Sequence, residues 1–192
     1  TTSETGIVNL FVADMDNDGD LDIVSASDGS APIAWYENNG AENPSWSISN
    51  ISSSADGLGG LFVADMDNDG DLDIVCSSHN DDAIAWYEND GATNPSWASE
   101  NIATSADGAK DVFVADMDGD GDMDIVSASY NDNTIAWYEN NGAANPSWTA
   151  SDIVSNAQGA TSVIAVDIDS DGDLDIASTS YLNDAITLYE ND

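Results

Sequence analysis

The chain has 192 residues, of which 41% are hydrophobic, enough to build one domain with a real core and too many for a disordered polyanion. Its 38 acidic residues face one lysine, Lys110, and one histidine, His79, for a formal net charge of −37, which argues against nucleic acid or an anionic membrane surface as a direct partner. No apolar run approaches the ~20 residues of a membrane-spanning helix, and the lone Cys76 rules out an intrachain disulfide.

Self-similarity at a fixed interval of 51 residues dominates the chain. Gly6, Gly57, Gly108 and Gly159 align, as do Tyr36, Tyr87, Tyr138 and Tyr189, with no insertion between them. The repeats run over 7–57, 58–108, 109–159 and a shortened 160–192. A period of this size belongs to solenoids and propellers.

The second repeat shows the elements of all four. Leu61-Phe-Val-Ala64 is a β-prone run that enters an aspartate-rich loop, and the run from Leu72 to Ser77 leaves it as a second strand. A polar turn, His79 to Asp82, precedes a third strand over Ala83–Glu88. After an Asn-Asp-Gly turn and Asn94-Pro95, the segment from Trp97 to Ile102 reads as a fourth, outer strand, and a turn ending at Gly108 opens the next unit. No window carries a 3.6-residue apolar stripe long enough for a helix. The expected fold is therefore all-β, a β-propeller of four-stranded antiparallel blades with four repeats in a single domain or half-propeller.

The loop between the first two strands holds five aspartates in nine residues, Asp14-Met-Asp16-Asn-Asp18-Gly19-Asp20-Leu-Asp22, and recurs from Asp65, Asp116 and Asp167. Carboxylates this crowded repel one another and call for a cation. Ca²⁺ accepts six to eight oxygens at about 2.3–2.6 Å, and ligands at positions 1, 3, 5, 7 and 9 with glycine at position 6 wrap around it. An EF-hand would need a bidentate Glu at position 12 and flanking helices. Here position 12 is Ser25, Cys76, Ser127 or Ser178, and the flanks are strands. Four Ca²⁺, one per repeat, would leave a charge of about −29.

The run Phe-Val-Ala-Asp-Met-Asp-Asn-Asp-Gly-Asp-Leu-Asp-Ile-Val resembles the FG-GAP and VCBS-type repeats of integrin α-subunit propellers and many secreted proteins. Because the Phe-Gly and Gly-Ala-Pro hallmarks of integrin repeats are missing, the VCBS-like branch is the nearer one. The resemblance implies that Asp14, Asp16, Asp18 and Asp22 bind calcium through side chains and Asp20 through its main-chain carbonyl. It implies the same roles for Asp65, Asp67, Asp69, Asp73 and the Asp71 carbonyl, and for Asp116, Asp118, Asp120, Asp124 and the Asp122 carbonyl. In the fourth loop these are Asp167, Asp169, Asp171, Asp175 and the Asp173 carbonyl.

No catalytic constellation emerges, because His79 and Lys110 lack recognisable partners and metal binding explains the repeated carboxylates better than acid/base work. The expected function is thus a non-catalytic calcium-binding module, extracellular or at the cell surface, serving as scaffold, adhesion or protein-interaction unit. A carbohydrate-binding, lectin-like propeller, free or attached to a secreted enzyme, is the alternative. Its ligand would sit on the face opposite the calcium loops, near His79, Tyr130 or Tyr181. The six tryptophans read as aromatic wedges between sheets. The last repeat lacks an outer strand, which leaves three arrangements: a four-bladed ring, a homo-dimer closing a larger ring, or part of a longer propeller. Association of two chains is favoured, since four blades close less comfortably than six to eight.

Overall fold

The computed structural model describes residues 6–28 and 32–191. The chain start at Thr1, the residues following Asp28 in the first turn, and Asp192 lie outside that set. Among the described residues every regular element is a β-strand. The first sheet comprises β1 (Ile7–Ala13), β2 (Asp22–Ser27), β3 (Ile33–Asn38) and β4 (Trp46–Ser52). The second holds β5 (Leu58–Ala64), β6 (Asp73–Ser78), β7 (Ala83–Asn89) and β8 (Trp97–Ala103). The third holds β9 (Ala109–Ala115), β10 (Asp124–Ser129), β11 (Thr134–Asn140) and β12 (Trp148–Val154), and the fourth β13 (Ala160–Val166), β14 (Asp175–Ser180) and β15 (Ala185–Tyr189). Each sheet is an antiparallel meander in sequence order, three of four strands and the last of three.

The expected strands are all present, and β5 starts three residues earlier than the apolar run suggested. Its start contains Gly59-Gly60, where the register with β6 shifts in a bulge. A Cβ on Gly59 would stand 2.2 Å from the Lys110 carbonyl oxygen of β9, so the glycine permits the close approach of two neighbouring sheets.

The first strands of successive sheets pack on one another, β1 on β5, β5 on β9 and β9 on β13. Three apolar clusters fill the spaces between them. Val24, Ile33 and Trp35 of the first sheet meet Leu58, Leu61, Val63 and Ile74 of the second. Val75, Ile84 and Trp86 meet Val112, Val114 and Ile125, and Val126 and Ile135 meet Val163 and Ile176. Strands β6 and β10 are buried at every position, because each is covered on both faces. Trp35 and Trp86 are wedged between sheets as expected, whereas Trp46 of the outer strand β4 stays 43% exposed. Cys76 is fully buried, and burial pushes its thiol up to about 12, which leaves it an inert core residue.

All four aspartate loops join the first two strands of their sheets and therefore share one end of the stack. The turns between second and third strands, and the connections between sheets, lie at the other end. There one bond recurs: Asp28, His79, Tyr130 and Tyr181 each donate a backbone N–H, at 2.9–3.0 Å, to the carbonyl of Gly6, Gly57, Gly108 or Gly159.

Candidate metal centres and the opposite turn end

Each aspartate loop is shaped by its own carboxylates before any ion is considered. Asp14 accepts the N–H groups of Asp18 and Gly19 at 3.1 and 2.9 Å, and Asp18 accepts that of Asp20 at 2.9 Å. Asp65 and Asp69 repeat these contacts in the second loop. Such local Asx bonds curl the backbone. The curl needs left-handed residues at position 4, where Asn17, Asn68, Gly119 and Ser170 have φ of 57–76°, and at position 6, where glycine has φ of 95–108°.

The result brings three carboxylates together in every loop. Oxygens of Asp14, Asp16 and Asp18 lie within 4.8 Å of one another, as do those of Asp65, Asp67 and Asp69, of Asp116, Asp118 and Asp120, and of Asp167, Asp169 and Asp175. Two oxygens bound to one Ca²⁺ at about 2.4 Å can be at most about 4.8 Å apart, so these separations suit a shared hard cation. Partial burial, followed by repulsion from Asp18 and Asp22, raises the Asp16 carboxyl above its ordinary range. Asp67 is raised by burial and then by Asp69, and Asp169 by burial and then by Asp171. A metal-free loop holds its charge at a cost that a divalent cation would relieve.

Position 7 points away from this cluster. The Asp71 carboxylate accepts Asn17 Nδ2 of the preceding loop at 2.8 Å, and Asp122 accepts Asn68 Nδ2 at 2.7 Å, which ties successive loops together. Gly119 replaces that asparagine in the third loop. The same carboxylates lie under the turns between third and fourth strands: a Cβ on Gly40, Gly91 or Gly142 would fall 1.8–2.0 Å from Asp20, Asp71 or Asp122. The Asp71 and Asp122 side chains are thus tied to the preceding loop, and the main-chain carbonyl of position 7 is the group that the resemblance assigns to an ion.

Position 9 is a structural hub. Asp22 is buried, its Oδ2 accepting Met15 N at 3.2 Å and Trp35 Nε1 at 3.0 Å while Oδ1 accepts Asn38 N at 2.8 Å. Asp73 and Asp124 receive the equivalent backbone donors, Met66 and Asn89 or Met117 and Asn140. Oδ1 of each retains a lone pair for a metal. Burial pushes Asp73 up to about 7 and Asp124 up to about 6, against a usual 3.8. Asp175 is instead held below the usual range by the N–H groups of Asn191 and Ile168, both at 3.0 Å. Asn89 and Asn140 extend the hub across sheets: Asn89 Nδ2 donates to Leu72 O at 3.1 Å and Met15 O at 3.0 Å, and Asn140 Nδ2 to Met123 O and Met66 O.

The turn end differs in chemistry. The equivalent positions Asp28, His79, Tyr130 and Tyr181 carry an acid, an imidazole and two phenols, where the aspartate end repeats itself almost unchanged. His79, Lys110, Tyr130, Asn131, Thr161 and Tyr181 line one open depression of about 450 Å³. The Tyr130 and Tyr181 rings stand 6.4 Å apart at 39°, and Tyr181 is 69% exposed. His79 Nδ1 is in hydrogen-bond contact with the Gly57 carbonyl, which makes Nδ1 the donor. Sequence reasoning singled out His79, Tyr130 and Tyr181 but missed Lys110, which stands alone on an inner strand. The signal that the only two basic side chains of the chain share one depression exists only in three dimensions.

The model of the FG-GAP-like repeat matches the chain three times in overlapping registers, over residues 14–76, 65–127 and 116–178. Among solved structures, the chain resembles an Agrocybe aegerita lectin described as recognising non-reducing terminal N-acetylglucosamine, with a TM-score of 0.61 and 19% sequence identity. The alignment covers 91% of this chain and 47% of the lectin chain, so the chain spans about half the length of that neighbour. A search of curated proteins finds no match.

Proposed function

The chain belongs to the FG-GAP-like repeat family, and on that premise we propose that it is a non-catalytic, calcium-stapled β-propeller module that works outside the cell as a binding scaffold. The observation that carries this reading is the convergence of three carboxylates in each of four successive loops, one per sheet. Calcium would neutralise each cluster, fix the hairpin between the first two strands, and hold successive loops in the register that Asn17 and Asn68 already favour. Its part is structural: a cation held by several carboxylates is a weak Lewis acid, and the aspartates are engaged in shaping loops rather than moving protons. In this reading the four sheets are blades.

Calorimetric titration of chelator-treated protein tests the reading. Four Ca²⁺ per chain are expected; fewer than one per chain would refute it.

A second reading has its own support. The depression at the turn end combines two tilted tyrosine rings with Lys110, His79 and the amide of Asn131. Aromatic faces flanked by a few polar groups suit a saccharide or a protein loop, and the face opposite the loops is free to diverge without disturbing the metal sites. We assign ligand binding to this face. Loss of glycan-array or partner binding in Tyr181→Ala, with calcium stoichiometry unchanged, would support the assignment, and unchanged binding would remove it.

A further inference from the structure

Resting on the calcium reading above, we propose that the first three aspartate loops bind their ions cooperatively, coupled by a side-chain tie from position 4 of one loop to position 7 of the next, and that the fourth loop binds its ion independently. Two contacts carry the coupling. Asn17 Nδ2 donates to Asp71 Oδ1 at 2.8 Å, and Asn68 Nδ2 donates to Asp122 Oδ1 at 2.7 Å. Each tie joins one candidate metal centre to another.

Both ends of a tie are set by the carboxylates that would hold an ion. Asn17 follows Asp16 and precedes Asp18, two of the three converging carboxylates of the first loop, and its φ of 57° is part of the curl that brings them together. Asp71 donates its backbone N–H to Asp69 Oδ1 at 2.9 Å, so the backbone at position 7 is placed by a carboxylate of the second cluster. Asn68, with φ of 61°, and Asp122, whose N–H reaches Asp120 Oδ1 at 2.9 Å, repeat the arrangement between the second and third loops. Amide and carboxylate meet only while both loops hold their curl. Without ions the crowded carboxylates repel one another and oppose it, and an exposed amide and carboxylate that part can bond to water instead. An ion that fixes one loop therefore fixes one end of the tie and lowers the ordering cost of its neighbour. The effect is reciprocal, so whichever loop fills first favours the other.

The series of ties breaks after the third loop. Position 4 there is Gly119, which has no amide to offer Asp173 at position 7 of the fourth loop. The fourth loop is also the one whose converging set differs, with Asp175 standing where the other three use position 5. Space for a tie exists: a Cβ on Gly119 would meet nothing within 4 Å, and its φ of 76° lies in the left-handed region that asparagine tolerates. Each bound ion also weakens the negative field that draws the next one, which opposes cooperativity, but salt at about 0.15 M screens that field within roughly 8 Å.

Calcium titration of the chelator-treated full chain, followed by calorimetry in about 0.15 M salt, tests the coupling. The wild type should bind four Ca²⁺, one per cluster, three of them in a phase steeper than independent sites allow and one outside it. Asn68→Gly, which copies the residue that the third loop already carries, should keep the stoichiometry, flatten the steep phase and weaken the ions of the second and third loops by about tenfold. Asp122→Ala removes the other end of the same tie while leaving the main-chain carbonyl in place. It should have the same effect, and the double variant should lose no more than either single one. Gly119→Asn should draw the fourth ion into the steep phase. A retained calcium-dependent melt certifies that each variant is folded. Equal steepness in wild type and Asn68→Gly, losses that add in the double variant, or a fourth ion that stays apart in Gly119→Asn would each overturn the proposal. Four ions bound without steepness would overturn the coupling alone and leave the functional reading intact, whereas fewer than one ion per chain would remove both.

Discussion

The two ends of the sheet stack follow opposite rules. At the aspartate end, four loops repeat a nine-residue pattern, and the substitutions at position 4 all keep a residue able to take φ of 57–76°. At the turn end the backbone bond from each turn to its glycine is equally constant, yet the side chains at that position run from Asp28 through His79 to two tyrosines. Only where carboxylates must converge does geometry dictate the side chain. Where backbone groups do the tying, the side chain is free for recognition. Stability should therefore reside at one end and specificity at the other.

The largest effect is expected at the hub of an interior loop. Asp73→Ala would orphan the buried N–H groups of Met66 and Asn89 and cost about 3 kcal/mol or more, measured by urea unfolding in calcium. Asp67→Ala should lower the calcium stoichiometry by one and remove the linkage from that site, about 2.7 kcal/mol when calcium is at a hundred times its dissociation constant. Gly91→Ala combines a φ of +66° with a Cβ placed 2.0 Å from Asp71 Oδ2 and should cost about 1–2 kcal/mol. At the other end, Lys110→Gln and Tyr181→Ala should shift stability by less than about 0.5 kcal/mol while abolishing ligand binding. A thermal shift at the turn end as large as those in the loops would erase the contrast.

Much of the architecture was legible because it is written at short range. The strand runs around Phe62 and Ile74, the 51-residue register and the Asp/Gly spacing of the loops each concern neighbours in sequence. What stayed hidden depends on distant partners. Asp22 reads as one metal ligand among five, and only the fold shows that it also organises Met15, Trp35 and Asn38, up to 16 residues away. The apolar run marks β5 only from Leu61, because the reason for Gly59 within the strand, the backbone of Lys110, belongs to the next sheet. Lys110 itself reads as isolated, since its neighbours His79 and Tyr181 come from the sheets on either side. Of the outer tryptophans, Trp97 and Trp148 pack against the inter-sheet clusters while Trp46 does not, because a periodic sequence says where a residue recurs but not what its strand packs against. Trp46 is 43% exposed while Trp35 is 1% exposed.

Calcium is the centre of this account: four sites at about 2.7 kcal/mol each would supply roughly 11 kcal/mol, as much as the whole stability of an ordinary domain. A thermal melt of the same protein in millimolar calcium and in excess chelator tests this most directly. The account predicts a midpoint lower by tens of degrees in chelator, or no cooperative transition at all. An unchanged midpoint would contradict it.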